Sequence, residues 1–324
     1  MAVYTEVPDG DLAKFVAEYE IGEAVSCKGI AEGVENSNYL LKTNGGPGDD
    51  TYILTLYEKR VRLEDLPFFI GLMQHLADKG MTCPTPIKDR KGQALKTLCG
   101  RPAALISFLE GMWPRRPTEK HCQALGAALA DFHLKGRDFP MKRPNDLSVE
   151  GWRKLIAATE ARADEVEPGL SARLKSEFAY LEAHWPKALE TGVIHADLFP
   201  DNVFFLGDKL SGIIDFYFAC TDFLAYDLAV CINAWCFQPD MSFNVTKAKL
   251  MFESYRKLRP IPDAEMAAMP ILARGATLRF LLTRLYDWLN HPPGAFVKPK
   301  DPIEYIRKLR FHQAARDIGA YGLA

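Results

Sequence analysis

The sequence predicts an α+β protein with two lobes, a small β-rich N-terminal lobe and a larger, mainly helical C-terminal lobe. The chain has 324 residues, and at about 150 residues per domain this length favours two domains. Segments rich in β-branched and aromatic residues crowd the first hundred positions, whereas helical periodicity dominates after Gly111. We therefore predict a first lobe of residues 1–108 and a second lobe of residues 109–324.

The composition excludes several classes of protein. With 48% hydrophobic and 25% charged residues, the chain is neither disordered nor of low complexity. Its net charge of -2 at pH 7 lacks the basic excess of a nucleic-acid binder. Asp227 interrupts the longest apolar run, 223–237, so no segment is expected to span a membrane. The seven scattered cysteines and the absence of a secretory pattern favour a cytoplasmic protein with reduced thiols.

The first lobe is predicted to combine strands with one helix. Its β-rich segments are bounded by loops that contain Gly and Pro, a pattern typical of strands. The helix has apolar residues at helical spacing and ends at Gly80, a favoured residue after a helix. The predicted strands are 26–30, 38–42, 52–57, 94–98 and 103–108, and the predicted helix is 64–79.

The second lobe is predicted to be helical around a small island of strands. Apolar residues recur at helical spacing on both sides of the island, where β-rich segments flank the turn Gly207-Asp208. We expect the basic amphipathic tail, 298–316, to be a packed closing helix. The predicted helices are 119–135, 152–166 and 171–189, with helical chain again from 222, and the predicted strands are 192–195, 203–206 and 210–214.

The strand island holds the motif His-x-Asp-x-x-x-x-Asn, formed by His195, Asp197 and Asn202, and Asp215 follows at the end of the next strand. A carboxamide and a carboxylate suit Mg²⁺, which keeps waters and binds substrate phosphates. A second carboxylate can orient and deprotonate a hydroxyl. Only about 0.01 such motifs would arise by chance in this composition, so phosphoryl transfer is favoured over a hairpin loop capped by Asx side chains.

This segment resembles the catalytic loop and metal-binding Asp of the protein-kinase-like superfamily. Ala196 replaces the Arg of protein kinases, and Asp215-Phe216-Tyr217 lacks the Gly of Asp-Phe-Gly. Both departures resemble the small-molecule branch, the aminoglycoside and choline kinase-like phosphotransferases. The resemblance covers nearly the whole chain and implies a protein-kinase-like fold, with a nucleotide-binding first lobe and a catalytic, acceptor-binding second lobe. ATP and Mg²⁺ are the implied cofactors.

The resemblance implies a role for each matching residue. Asp197 would be the catalytic carboxylate, and Asn202 and Asp215 would hold Mg²⁺. His195 would support the loop by hydrogen bonding rather than act as a base. Asp227 would brace the catalytic loop, with an ordinary helix-capping acid as the alternative.

The nucleotide would bind to the first lobe and to the linker between the lobes. A Gly-x-x-x-Gly turn alone predicts no more than a turn, but in this family the hairpin covers the ATP phosphates with backbone N–H groups. The linker would bind adenine through its backbone. The residues expected at the nucleotide are Gly29, Gly33, Asn38, Phe108, Leu109 and Glu110.

One departure from the family pattern concerns the residues that bind the ATP phosphates. Thr55 stands where kinases carry a strand Lys, and Phe69 and Ile70 fall where the partner Glu would be. The nearest cations in the sequence are Lys59 and Arg60. A nucleotide-binding protein without catalytic activity is therefore the alternative to a kinase.

The acceptor is predicted to be a small hydroxyl compound with a carboxylate. Residues 220–324 carry a net charge of +4, which disfavours a polycationic acceptor. Arg279 and Tyr286 lie on a polar helical stripe, with a solvated stripe as the alternative. Asn233 and Trp235 are further wall candidates, although a Trp at such a position is more often a core residue. Stretches such as YILTLYEKR (52–60) resemble the sequences of those members of the family that act on an amino-acid alcohol. Choline, methylthioribose or an aminoglycoside are alternative acceptors, and the oligomeric state stays open.

Overall fold

The protein divides into two compact units in a computed structural model that describes residues 4–30, 36–48, 50–58, 62–291 and 298–323. The first unit comprises the chain up to Gly111 together with Ser211–Tyr217, and the second comprises the chain from Met112 to Leu210 and from Phe218 onward. The boundary predicted after Phe108 lies three residues earlier, and no sequence pattern assigns 211–217 to the first unit.

The first unit combines an antiparallel sheet with helices. The five strands have the order β1-β2-β3-β5-β4, and register pairs Asn38 with Thr55 and Thr55 with Ala104. The elements are α1 (Asp9–Val16), β1 (Gly22–Gly29), β2 (Ser37–Gly45), β3 (Thr51–Leu56), α2 (Leu66–Asp78), β4 (Lys96–Leu98) and β5 (Arg101–Ser107). All five predicted strands and the predicted helix are present, with shifted ends.

Helix α1 was not predicted, because eight residues are too few to be stable as a helix without tertiary packing. Leu12, Phe15 and Val16 are buried in one hydrophobic cluster with strand residues such as Leu41 and Leu54. This packing, rather than local propensity, forms the helix.

The second unit is mainly helical, and its small strands carry the motif loop. Helix α8 packs against α4, α5, α6 and α9. The elements are α3 (Glu119–Lys135), α4 (Val149–Thr159), α5 (Leu170–His184), β6 (Thr191–Ile194), β7 (Val203–Leu206), β8 (Lys209–Ile213), β9 (Cys220–Phe223), α6 (Leu224–Trp235), α7 (Val245–Arg256), α8 (Asp263–Leu289) and α9 (Ile303–Ala314). Strand β9 was not predicted, since its four residues are defined by antiparallel pairing with β6.

The strands β7 and β8 form a second two-stranded sheet, as the Gly207-Asp208 turn predicts. The division between the units falls within β8. Among the described helices, none combines the length and the apolar character needed to cross a bilayer.

Candidate active site

The loop between β6 and β7, which we call the catalytic loop, runs from His195 to Asn202 and ends in a 3-10 turn over Pro200–Asn202. Ala196 has a φ of 63°, in the left-handed region that side chains disfavour. Both oxygens of Asp227 accept backbone hydrogen bonds from this loop, from the N–H of His195 and the N–H of Ala196, each at 2.7 Å. Asp227 is fully buried, so the start of the loop is fixed from the interior.

The carboxylate of Asp227 belongs to a larger buried network. His133 Nε2 lies 3.3 Å from Asp227 Oδ2, and His133 Nδ1 lies 2.7 Å from the hydroxyl of Tyr255. Arg259 donates to the same hydroxyl and pairs with Glu265. Both ring nitrogens of His133 and both terminal nitrogens of Arg259 have partners, as buried polar groups require, whereas Arg259 Nε has no hydrogen-bond partner among the described residues. The network therefore holds Asp227, and Asp227 holds the loop.

Asp197 combines partial burial with a defined orientation. Asn202 Nδ2 donates to the Asp197 carbonyl oxygen at 2.8 Å and to Asp197 Oδ2 at 3.2 Å. The Asp197 side chain is 18% exposed, so it can still be reached from solvent. Burial raises the pKa of Asp197 to about 6; Arg279 and Lys300 oppose this shift and Asp201 adds to it. A carboxylate with this pKa is ionised at neutral pH and can accept a proton.

The raised pKa of Asp197 predicts a pH dependence. A carboxylate accepts a proton only when it is ionised, so activity should be complete above about pH 6 and fall as the pH drops through that value. We expect kcat/KM to lose about tenfold per unit below pH 6. A pH–rate profile from pH 4.5 to 8 tests this, with circular dichroism at each pH as the control for folding. An acidic limb near 3.8, the ordinary value for Asp, would contradict the assignment.

Two residues predicted to contact substrate instead support the catalytic loop from the interior. Arg279 Nη1 donates to the carbonyl of Ala196, and Trp235 Nε1 donates to the carbonyl of Leu198 at 2.7 Å. Both residues are almost completely buried, at 1% exposure of the whole residue. The structure therefore corrects the expectation that they form a pocket wall.

The other two residues predicted to contact substrate lie in different surroundings. Asn233 is fully buried; its Nδ2 donates to the carbonyls of Ala229 and Ala273, and its Oδ1 accepts from Thr277 and His312. It is an interior residue rather than a pocket wall. Tyr286, in contrast, is 41% exposed on α8.

In the first unit, Asp215 follows the end of β8 and has a φ of 64°. Tyr217, two residues after Asp215, is held by contacts with other aromatic side chains. Its hydroxyl lies 3.2 Å from that of Tyr57, and its ring makes edge contacts with Tyr57 and Phe69. Left-handed backbone at a residue other than Gly persists only where the surroundings enforce it. The segment that carries Asp215 is thus fixed by an aromatic cluster.

The strand position that carries Lys in kinases is neutral here. Thr55 is 1% exposed and its hydroxyl donates to Asn38 Oδ1 at 2.8 Å. Phe69 and Ile70 are buried. Gly29 ends β1, and the next amide, Ile30 N–H, bonds the Asn38 carbonyl at 2.8 Å. Gly33, Lys59 and Arg60 lie outside the described residues.

The predicted adenine linker is anchored at one end. The carbonyl of Glu110 accepts a hydrogen bond from the Ser211 hydroxyl at 2.7 Å. Leu109 packs so closely on Gly212 that an added Cβ would lie 2.6 Å from its Cδ1. Phe108 is 42% exposed, so its side chain remains accessible.

Lys300 is a residue near the catalytic loop that was missed in the sequence. Its Nζ lies 3.3 Å from Asp201 Oδ2 and 5.5 Å from the centroid of the Phe199 ring. A cation between Pro299 and Pro302 was its only sequence signal. The neighbouring arginines of α8 are engaged elsewhere; Arg274 pairs with Glu177 and Arg284 with Glu304.

Comparisons with known proteins identify relatives along the whole chain. A model of the phosphotransferase enzyme family matches residues 26–261. A protein named homoserine kinase from Paramagnetospirillum magneticum is 62% identical over 100% of both chains. Another of that name, from Methylobacterium radiotolerans, is 63% identical over 99% of both.

Solved structures share the fold at low identity. An amicoumacin kinase in complex with AMP-PNP and Ca²⁺ matches with a TM-score of 0.70 and 14% identity, over 96% of this chain and 94% of that one. A choline kinase from Cryptosporidium parvum matches with a TM-score of 0.64 and 14% identity, over 89% of this chain and 88% of that one. These likenesses confirm the predicted fold class.

Proposed function

The chain belongs to the phosphotransferase enzyme family, and on that premise we propose that it transfers the γ-phosphoryl group of ATP to the side-chain hydroxyl of L-homoserine, a step of threonine biosynthesis. The observation that carries the chemistry is the Asp197 carboxylate, held by Asn202 on a rigid loop and still open to solvent. The acceptor follows from full-length relatives at 62–63% identity that are named homoserine kinase.

The proposed step is an in-line displacement. The acceptor oxygen forms a bond to the γ-phosphorus while the bond from that phosphorus to the β–γ bridging oxygen breaks, and ADP leaves. The proton of the hydroxyl passes late to Asp197, which first orients it. Transfer of this kind depends on positioning and electrostatics more than on covalent chemistry, which suits a loop fixed by Asp227.

The donor set suits Mg²⁺. Asn202 commits its nitrogen to Asp197, so Oδ1 is the atom of this amide that could meet a cation. Within the described ranges there is no group of three or more His, Cys, Asp or Glu that could hold a metal, so phosphate oxygens and water would complete the shell. We assign Asn202 and Asp215 as the protein ligands. When bound, the ion would offset charge on the phosphates.

The assignment of Asp215 predicts a defect in Mg²⁺-dependent nucleotide binding. Asp215→Ala should raise the dissociation constant of ATP about tenfold or more in the presence of Mg²⁺, because a charged ligand of the ion is lost. Calorimetric titration with and without Mg²⁺ measures this. Asp208→Ala, at a surface residue paired with Lys120, is the matched control. Equal affinities of the Asp215 variant and the parent chain in Mg²⁺ would reject the metal role.

The nucleotide assignments extend to the first unit. We propose that Gly29, Gly33 and Asn38 bind the phosphates, and that Phe108, Leu109 and Glu110 line the adenine site. The Thr55–Asn38 hydrogen bond leaves this strand position uncharged, so Mg²⁺ would supply more of the positive charge at the phosphates.

Lys300 is the cation we propose for the acceptor carboxylate. Its side chain is 63% exposed and its ion pair with Asp201 is exposed too, so the existing pair is weak and a substrate carboxylate can compete for it. The arginines of α8 are less available, because Arg274 and Arg284 pair with buried or half-buried glutamates.

The proposed role of Lys300 predicts that its replacement reduces the preference for an acceptor that carries a carboxylate. Lys300→Met should lower kcat/KM for L-homoserine about 10- to 100-fold, the value of one charge-assisted hydrogen bond, and change that for 3-aminopropan-1-ol, which lacks the carboxylate, less than about twofold. Steady-state kinetics with both acceptors measures this, with Lys298→Met as the control. Equal losses for the two acceptors would show that Lys300 does not bind the carboxylate.

The proposed function is tested by measuring ADP release across a panel of hydroxyl acceptors. We expect L-homoserine to give the highest kcat/KM. Faster turnover of choline, methylthioribose or an aminoglycoside would show that L-homoserine is not the acceptor, while the proposed phosphoryl transfer to a hydroxyl group would stand. ATP binding without ADP release for any acceptor would indicate a non-catalytic nucleotide-binding protein.

A further inference from the structure

The catalytic loop contains no arginine, yet a guanidinium reaches it from a distant helix. Ala196 occupies the position between His195 and Asp197, and Arg279 of α8, 83 residues further along the chain, donates to its carbonyl. We propose that Arg279 is a positioning residue that holds Ala196 in its left-handed conformation and thereby directs the Asp197 carboxylate toward the acceptor hydroxyl. This inference rests on the proposed function.

The Ala196 peptide units are held at both ends by buried charges. Asp227 accepts from the N–H of Ala196 at 2.7 Å, and Arg279 donates to its carbonyl oxygen. A φ of 63° is disfavoured for Ala, and two charge-assisted hydrogen bonds offset that cost. Asp197 is the next residue, so any relaxation of Ala196 turns its carboxylate.

The geometry of Arg279 fits positioning rather than binding of the acceptor. Its side chain is 2% exposed, and its guanidinium carbon lies 4.4 Å from the Phe280 ring centroid and 5.5 Å from that of Phe218. Nη2 lies 3.8 Å from Asp197 Oδ1, too far for a hydrogen bond. Arg279 thus fixes the backbone without occupying the carboxylate that must receive the proton.

The experiment is a cycle of four proteins, the parent chain, Arg279→Met, Ala196→Gly and the double variant, assayed for ADP release. We expect Arg279→Met to lower kcat about 100-fold, the cost of a misplaced reacting group, with less than about a threefold change in the KM for L-homoserine. Gly adopts positive φ without strain, so Ala196→Gly should recover about tenfold of the lost kcat in the Arg279→Met background.

Two further variants separate positioning from general stability. Arg279→Lys keeps a donor and should retain more kcat than Arg279→Met; it also serves as the test if the Met variant does not fold. Arg284→Met is the same change on the same helix, where Lys308 still pairs with Glu304. Its kcat should equal that of the parent chain, and thermal unfolding curves should be recorded for every variant.

Each outcome decides the inference. A raised KM for L-homoserine with kcat preserved would make Arg279 an acceptor ligand and overturn positioning. No recovery by Ala196→Gly in a folded double variant would overturn it too. Unchanged kcat in Arg279→Met, with an active parent chain, would reject this inference alone. A parent chain without ADP release for any acceptor would reject the proposed function and this inference with it.

Discussion

Asp197→Asn should lower kcat by about three orders of magnitude while the fold is retained. The amide cannot accept the hydroxyl proton, and general base catalysis contributes about 10²–10⁴-fold. The side chain keeps its size, and Asn202 can still donate to the carbonyl of residue 197, so the loop has no reason to rearrange. Steady-state ADP release and thermal unfolding, recorded on the same preparations, measure the two effects separately.

Asp208→Asn is the control for this prediction. Asp208 lies in the turn between β7 and β8 and pairs with Lys120 on the surface, where its side chain is 58% exposed. The same change of charge there should leave kcat within about twofold, as expected for an exposed ion pair. Near-parental turnover of Asp197→Asn would show that another group receives the proton.

The sequence predicts the chemistry of the catalytic loop because the motif is local. His195, Asp197 and Asn202 lie within eight residues, and the 3-10 turn over Pro200–Asn202 places the Asn202 amide within hydrogen-bonding distance of the Asp197 carboxylate. The flanking strands β6 and β7 are also defined by short apolar runs. The support of the loop is not local, because Arg279 and Asp227 come from helices far along the chain. The family resemblance predicts the bracing role of Asp227, whereas nothing in the sequence predicts that of Arg279.

The helical periodicity of α8 predicts a substrate contact for Arg279, and this prediction is wrong because the residue is buried. A polar stripe at helical spacing predicts a solvated or ligand-facing side when a helix has one apolar face. Helix α8 instead packs against four other helices, so both Arg279 and Thr277 are buried and bond within the protein. A helix surrounded on several sides uses its polar residues as internal partners, and sequence periodicity does not distinguish the two cases.

The contacts that replace the strand Lys and its partner acid could not be predicted from the sequence either. The sequence indicates that Thr55 replaces the Lys and that Phe69 replaces an acid, but not what takes their place. In the first unit, an uncharged cluster occupies these positions: Thr55 bonds Asn38, and Phe69 packs on Tyr217. Exchange of an ion pair for a neutral cluster avoids the cost of burying charge, and only three-dimensional contacts reveal the partners.

Asp227→Asn should lower kcat about 100-fold, an effect as large as that expected for Arg279→Met. Both carboxylate oxygens of Asp227 accept from backbone N–H groups, of His195 and of Ala196. An amide at this position must present its NH₂ to one of those N–H groups, so one buried donor loses its acceptor. The loop would shift to relieve this contact, and a displacement of about 1 Å can cost about 10² in rate.

Asp222→Asn is the matched control, because this half-buried acid also accepts hydrogen bonds, from Asn145 and from the Phe223 N–H, but on β9 rather than at the loop. Burial raises the pKa of Asp222, so loss of its charge should be tolerated. We expect the Asp222 variant to keep kcat within about threefold, and the Asp227 variant to lose kcat with its KM for ATP little changed. If both variants lost only stability, and kcat per folded molecule stayed parental, Asp227 would be an ordinary core acid and the catalytic loop would hold its shape without it.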